Sequence, residues 1–161
     1  MRYITFIICF DVYHLTEVKR ERSHSKYLLQ VNGKNIGTIH LFSHLMPAIS
    51  ISRNFELVIY GSSTAYLVQN KKIRVVNTDY EINKIWFLEN SRMLIQQEIC
   101  ISEYNIFDLL ITKEYDHLEI ITDSIFKYPN RLIFQDLQNG VYELNLENFI
   151  ISPSDFPFVR L

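Results

Sequence analysis

Glycine and proline are scarce in this 161-residue chain, four of each, against the usual ~7% and ~5%. That shortage excludes glycine-rich phosphate loops, collagen-like repeats and proline-rich modules. Alanine occurs twice and isoleucine 22 times. A helical bundle would reverse that ratio, because branched side chains suit a pleated surface and alanine suits helices. Cysteine is limited to Cys9 and Cys100, too few and too far apart for a zinc spacing or a redox pair. They are expected as two small buried thiols in a reduced cytoplasm. The formal net charge of −2 leaves no global field for nucleic acid or a membrane.

No apolar run reaches the about 20 residues needed to span a bilayer. Met1–Phe10 is apolar, but Asp11 ends the run and no small-x-small cleavage site follows. It reads as a buried strand rather than a signal peptide. With 48% hydrophobic and 21% charged residues, the chain has the composition of one globular domain.

What remains is a succession of strand signals. Tyr27–Val31 and Ile36–Phe42 flank Asn32-Gly33-Lys34-Asn35, a hairpin turn, since Asn and Gly tolerate positive φ. Similar pairs flank Gly61-Ser62-Ser63, Asn90-Ser91-Arg92 and Asp136–Gly140, and Asn70-Lys71-Lys72 leads into Ile73–Val76. Met93–Ile101 alternates as one strand with Gln97 on the apolar side. Tyr142, Leu144 and Leu146 oppose Glu143 and Asn145. The expected fold is mainly β, one domain over residues 1–161. It is an antiparallel meander, sandwich or partial barrel with at most one or two short helices. Tyr13–Lys26 reads as a loop or short exposed helix. Ser102–Thr112 reads either as a helix capped by Ser102 or, through Leu109–Thr112, as strand.

Catalytic chemistry is thin. His40 and His44 have helical spacing, but Leu41 stands where a metalloprotease pattern needs Glu. Cys9, Asp11, His14 and His24 have no spacing that fixes a site. Gly33–Gly37 lacks the spacing and the Ser/Thr of a phosphate loop. No enzyme activity, cofactor or metal is therefore expected. A hydrolase built on His14, His24, His40 or His44 ranks last among the readings.

The near-zero charge hides an asymmetry. Residues 1–80 sum to +5 and residues 81–161 to −7. Acid concentrates in Glu98, Glu103, Asp108, Glu114, Asp116, Glu119 and Asp123, interleaved with Tyr104, Phe107 and Tyr115. Such a run can balance the basic half or face water. It can also capture a basic protein, with charge steering the encounter and aromatic anchors holding it. The basic segment Lys19–Lys26 contains Glu21 and no aromatic platform, which suits a solvated loop better than a nucleic-acid contact.

The stretch Asp123–Glu147 has an Asp before an apolar pair and a short turn. An apolar strand, an Asp-x-x-x-Gly type turn and a Tyr-x-Leu-x-Leu strand ending in an acid follow. It resembles segments of small bacterial immunity proteins that accompany polymorphic toxins, including contact-dependent growth inhibition systems. The resemblance implies a cytoplasmic antitoxin that binds one cognate toxin domain, expected to be a basic nuclease, over its active site. It implies no catalytic residues, no direct nucleic-acid contact and no membrane association. On this reading Glu98, Glu103, Tyr104, Asp108, Glu114, Tyr115, Asp116, Glu119 and Asp123 form the partner-binding surface. The alternative is a structural or accessory β-module of a larger phage or secretion assembly, offering unpaired strand edges.

Overall fold

Tight turns set the architecture. The computed structural model describes residues 2–42, 46–54, 56–127 and 129–158. Among these, all sixteen regular elements are strands, in four antiparallel four-stranded meanders. The mainly β expectation holds. Asn32 and Gly33 both adopt positive φ between facing strands, as do Asn70-Lys71 and Asn90-Ser91. Two successive residues at positive φ match the twist of the strands they join.

Contacts divide the chain into two units, Met1–Ile82 and Asn83–Leu161. The first contains β1 (Tyr3–Ile8), β2 (Asp11–Arg20), β3 (Ser25–Val31) and β4 (Lys34–Leu41) in one sheet. Its second sheet is β5 (Ala48–Ile51), β6 (Leu57–Gly61), β7 (Thr64–Gln69) and β8 (Lys72–Asn77). Leu15, Tyr27, Leu29, Ile39 and Leu41 pack with Leu57, Ile59, Tyr66 and Val68 in one core. A polar pin joins these sheets. The Tyr66 hydroxyl donates to the His40 carbonyl at 2.6 Å and accepts from the His40 amide at 3.0 Å. Both backbone groups of an outer strand position are thereby satisfied.

The second unit is built alike. Strands β9 (Ile82–Leu88), β10 (Arg92–Gln97), β11 (Cys100–Asn105) and β12 (Ile111–Asp116) form one sheet. Strands β13 (Ile121–Lys127), β14 (Arg131–Asp136), β15 (Val141–Asn145) and β16 (Ile150–Pro153) form the other. Leu94, Ile101, Ile121, Leu132, Phe134, Leu144 and Leu146 make its core. Lys84 ties the sheets together, donating to the Asp123 carboxylate at 2.7 Å and the Ser124 carbonyl at 2.8 Å. The Ser124 hydroxyl also donates to the Gln96 side chain.

Three local expectations are corrected, and one of the two readings of Ser102–Thr112 is selected. Tyr13–Lys26 is not a loop or helix: β2 and β3 occupy most of it. Glu17 obscured the strand pattern. It sits at a buried position beside Leu15, where Arg2 pairs with its carboxylate at 2.9 Å. Ser102–Thr112 is strand, turn and strand, not helix. Asn105 and Asp108 accept the Phe107 and Leu110 amides at 2.8 and 3.0 Å, so their side chains close turns that compete with a helix. Met93–Ile101 is not one strand, since the chain turns at Glu98 and Ile99 between β10 and β11. The N-terminal run is not a buried strand but an edge: Tyr3 and Ile7 are exposed on β1, and Phe10 at its turn is 97% exposed.

Leu29 is fully buried in the first core. Leu29→Ala is expected to remove about 2–5 kcal/mol of stability, read as a lowered urea midpoint at unchanged slope.

Candidate functional site

The acidic stretch lies on the β11–β12 hairpin and the segments flanking it. Strand β12 is the edge of its sheet, so one side of its backbone is unpaired within that sheet. Strand β11 is buried along most of its length, whereas β12 alternates between exposed and half-buried positions. Register sets Glu114 opposite Ser102 and Asp116 opposite Cys100. Glu114 accepts the Ser102 hydroxyl at 2.9 Å. Both carboxylates stand on the exposed strand.

The nine sequence-predicted binding residues separate by burial. Asp108, Glu114 and Asp116 are exposed. Exposed apolar side chains share their stretch: Phe107 (69%), Leu110 (64%), Ile111 (50%) and Leu118 (96%). Tyr115 is half-buried and bonded through its hydroxyl. Glu98 is half-buried in the β10–β11 turn, where its carbonyl accepts the Ile121 amide at 2.6 Å. Glu119 is half-buried and accepts from Gln138 at 2.6 Å. Asp123 is exposed but engaged by Lys84, whose ammonium holds its carboxyl below the usual range. Glu103 and Tyr104 are buried. Glu103 pairs with Arg92 at 2.9 Å and accepts the Thr112 hydroxyl at 2.7 Å, so its charge is spent inside the sheet.

Two clusters escaped the sequence reading. In the first, Cys100, Glu114 and Asp116 offer a sulfur and two carboxylate oxygens within 4.8 Å of one another, a donor set able to hold a cation. Burial pushes the Cys100 thiol up to about 12, against the opposing hydrogen bond from Ser102 and with the two carboxylates adding to the rise. The thiol is thus protonated at neutral pH. Cys9, expected buried, is exposed; both cysteines are free.

The second cluster centres on His117, which lies 2.9 Å from the Tyr115 hydroxyl and 3.3 Å from Asp136. Asp136 is buried and accepts the Gly140 amide at 2.7 Å. The His117 ring meets Phe134 and Tyr142 edge-on, at 5.1 and 5.0 Å. The Asp136 charge raises the Tyr142 hydroxyl above its ordinary range. These groups satisfy one another beside a cavity of about 290 Å³, and the arrangement locks the loop between β12 and β13 onto the turn after β14. Only three-dimensional placement joins His117 to Asp136; no spacing in the sequence announces the pair.

No hydrogen bond joins the other histidines to one another among the described residues, although His24 and His40 line one cavity. His14 pairs with Thr5 at 3.0 Å and His24 with Ser23 at 2.7 Å. Cys9 and Asp11 line one cavity, which neither His14 nor His24 joins. His44 lies outside the described residues.

No protein-family model matches the sequence, and no curated protein matches it either. Solved structures do match the fold. The WD40 β-propeller domain of Doa1 aligns over 92% of this chain and 51% of its own, at TM-score 0.59 and 12% identity. Sqt1 from Saccharomyces cerevisiae aligns over 88% and 44%, at 0.60 and 14%. Apo AztD from Citrobacter koseri aligns over 88% and 43%, at 0.56 and 13%. The chain spans about half the length of these structures. At such identity the likeness is one of fold: four-stranded antiparallel sheets of the β-propeller kind.

A side chain at Gly140 would bring its Cβ to 2.6 Å from the Tyr142 hydroxyl and 2.9 Å from Asp136. Gly140→Ala is expected to cost about 1–3 kcal/mol and to change the environment of the His117 ring, seen as a shift of its proton resonances. Thiol labelling separates the cysteines: Cys9 reacts in the native protein, and Cys100 reacts only after denaturation.

Proposed function

We propose that this protein acts by binding a basic protein partner through the exposed stretch from Phe107 to Leu118. The observation that carries the proposal is the interleaving, on and beside one edge strand, of the carboxylates of Asp108, Glu114 and Asp116 with exposed Phe107, Leu110, Ile111 and Leu118. Carboxylates accelerate encounter with a cationic surface, and apolar side chains supply the area that holds it. An unpaired strand edge adds backbone donors and acceptors for a partner strand.

The narrow form of the proposal is an immunity protein that occludes a basic nuclease toxin, with carboxylates standing where substrate phosphates would lie. The resemblance of Asp123–Glu147 supports it. The burial of Glu103 and Tyr104 and the engagement of Asp123 narrow the surface to Asp108, Glu114 and Asp116, with Glu119 at its rim.

The second reading is a β-module of a larger assembly. The exposed Tyr3, Ile7 and Phe10 at and beside edge strand β1 favour it. Light scattering separates the two: a large homomeric assembly supports the module, a monomer the soluble binder.

The direct experiment compares co-purification from the source cell by the wild type and by a Glu114→Lys, Asp116→Lys, Glu119→Lys variant. A basic protein retained by the wild type should associate with the variant about tenfold more slowly at low salt. An unchanged association rate would sink the interface assignment.

A further inference from the structure

The first sheet of the first unit has two edges, β1 and β4. Strand β1, Tyr-Ile-Thr-Phe-Ile-Ile, contains no charge and no proline, and its register with β2 runs unbroken from Tyr3 to Ile8. Edge strands are ordinarily guarded by lysine, proline, a bulge or shortness, because an unpaired edge templates another strand. The other edges described obey that rule. Strands β4, β8, β9, β12 and β13 each carry a lysine, β16 ends in Pro153, and β5 has only four residues. Among the described edges, β1 alone has none of these guards.

The backbone of β1 is open at alternate positions. The Arg2 carbonyl accepts the Glu17 amide of β2 at 2.8 Å. Alternation then turns the amide and carbonyl groups of Tyr3, Thr5 and Ile7 away from β2. The same three side chains are exposed, Tyr3 at 75% and Ile7 at 68%. Ile4 and Phe6 lie on the other face, half-buried against the core. This row is self-complementary. Laid antiparallel on a copy of itself with Thr5 at the centre, Tyr3 meets Ile7, Thr5 meets Thr5, and Ile4 meets Phe6. Aromatic with β-branched and threonine with threonine are favourable cross-strand pairs. The outward-facing positions become hydrogen-bonded pairs, each exchanging both its bonds. No like charges meet. Arg2 faces Ile8 of the other copy, and Asp11 stands opposite that Ile8 on β2, so the ends of the row carry opposite charges.

We propose that this edge joins two copies of the chain in a two-fold dimer, with β1 pairing antiparallel to β1. The occupant is a second copy rather than an unrelated strand, because one register satisfies every position of the row on both sides and sets opposite charges at its ends. Such a contact is isologous and closes at two copies. It buries about 800 Å² in total, low for a permanent complex, so the dimer is weak and reversible. The inference rests on the β1 edge that the second reading uses, but not on an open assembly, and it leaves the acidic edge β12 unoccupied.

The test sediments the full chain over about 1 μM to 1 mM. The mass should rise from one chain to two and stop there. Thr5→Lys sets like charges across the two-fold and should weaken the dimer about tenfold or more; Ile7→Lys, at another exposed position, should also weaken it. Register is read by cross-linking in a Cys9→Ser background. Thr5→Cys should form an intermolecular disulfide on oxidation, because each Cα faces its own copy at about 5.5 Å. Tyr3→Cys, which faces Ile7, should not. A chain that stays monomeric at the highest concentration overturns the dimer and leaves the acidic edge standing. A mass that grows past two overturns it in favour of the open assembly. The β1 pairing is also overturned if both lysine variants dimerise as the wild type does, or if Tyr3→Cys cross-links as readily as Thr5→Cys.

Discussion

The structure depends on reversing the chain sharply with almost no glycine. Sixteen strands in 161 residues leave two to six residues for most connections. A twisted antiparallel pair is best joined by a short loop whose central residues take positive φ. Four glycines cannot supply that, and among the described residues ten non-glycine residues adopt the left-handed region, against Gly33 as the one glycine there. Each such residue costs roughly 1–2 kcal/mol, less for asparagine, whose side chain bonds locally. Asn32, Asn70, Asn90 and Asn139 carry much of this load. Ladder hydrogen bonds and buried isoleucine, leucine and valine on both flanks hold the remainder in place.

Packing then decides how polar groups enter the sheets. Glu17, Glu103 and Asp136 all occupy buried positions, and each has a partner reached across the sheet or from another segment: Arg2, Arg92 and His117. Buried charges persist only when paired. These pairs draw residues out of the surface charge pattern. What stays exposed in the second unit is a short acidic and apolar edge.

Much of the fold was legible because its signals are local. Asn32-Gly33, Asn70-Lys71 and Asn90-Ser91 announce turns through the backbone preferences of two residues. The alternation of Tyr142, Leu144 and Leu146 announces a strand through its own period. The errors arose where a local pattern met a distant partner. Glu17 broke the alternation of β2 because Arg2 is fifteen residues away. Ser102–Thr112 carried the cap and spacing of a helix, yet Asn105 and Asp108 closed turns and Arg92 received Glu103. The candidate surface was legible as a charge run, but burial of individual members was not, since neighbours in sequence point to opposite faces of a strand.

By itself the sequence determined the β class, the positions of several hairpins and the division of charge between its halves. Each follows from backbone preference, side-chain period or simple counting. Tertiary structure alone decided which acids remain in water, that His117 meets Asp136, and that Lys19, Lys26 and His40 stand in register on adjacent strands. Those facts depend on strand register and on contacts between segments far apart in the chain, where the free energy of burying a charge or a hydroxyl depends on what the fold sets beside it.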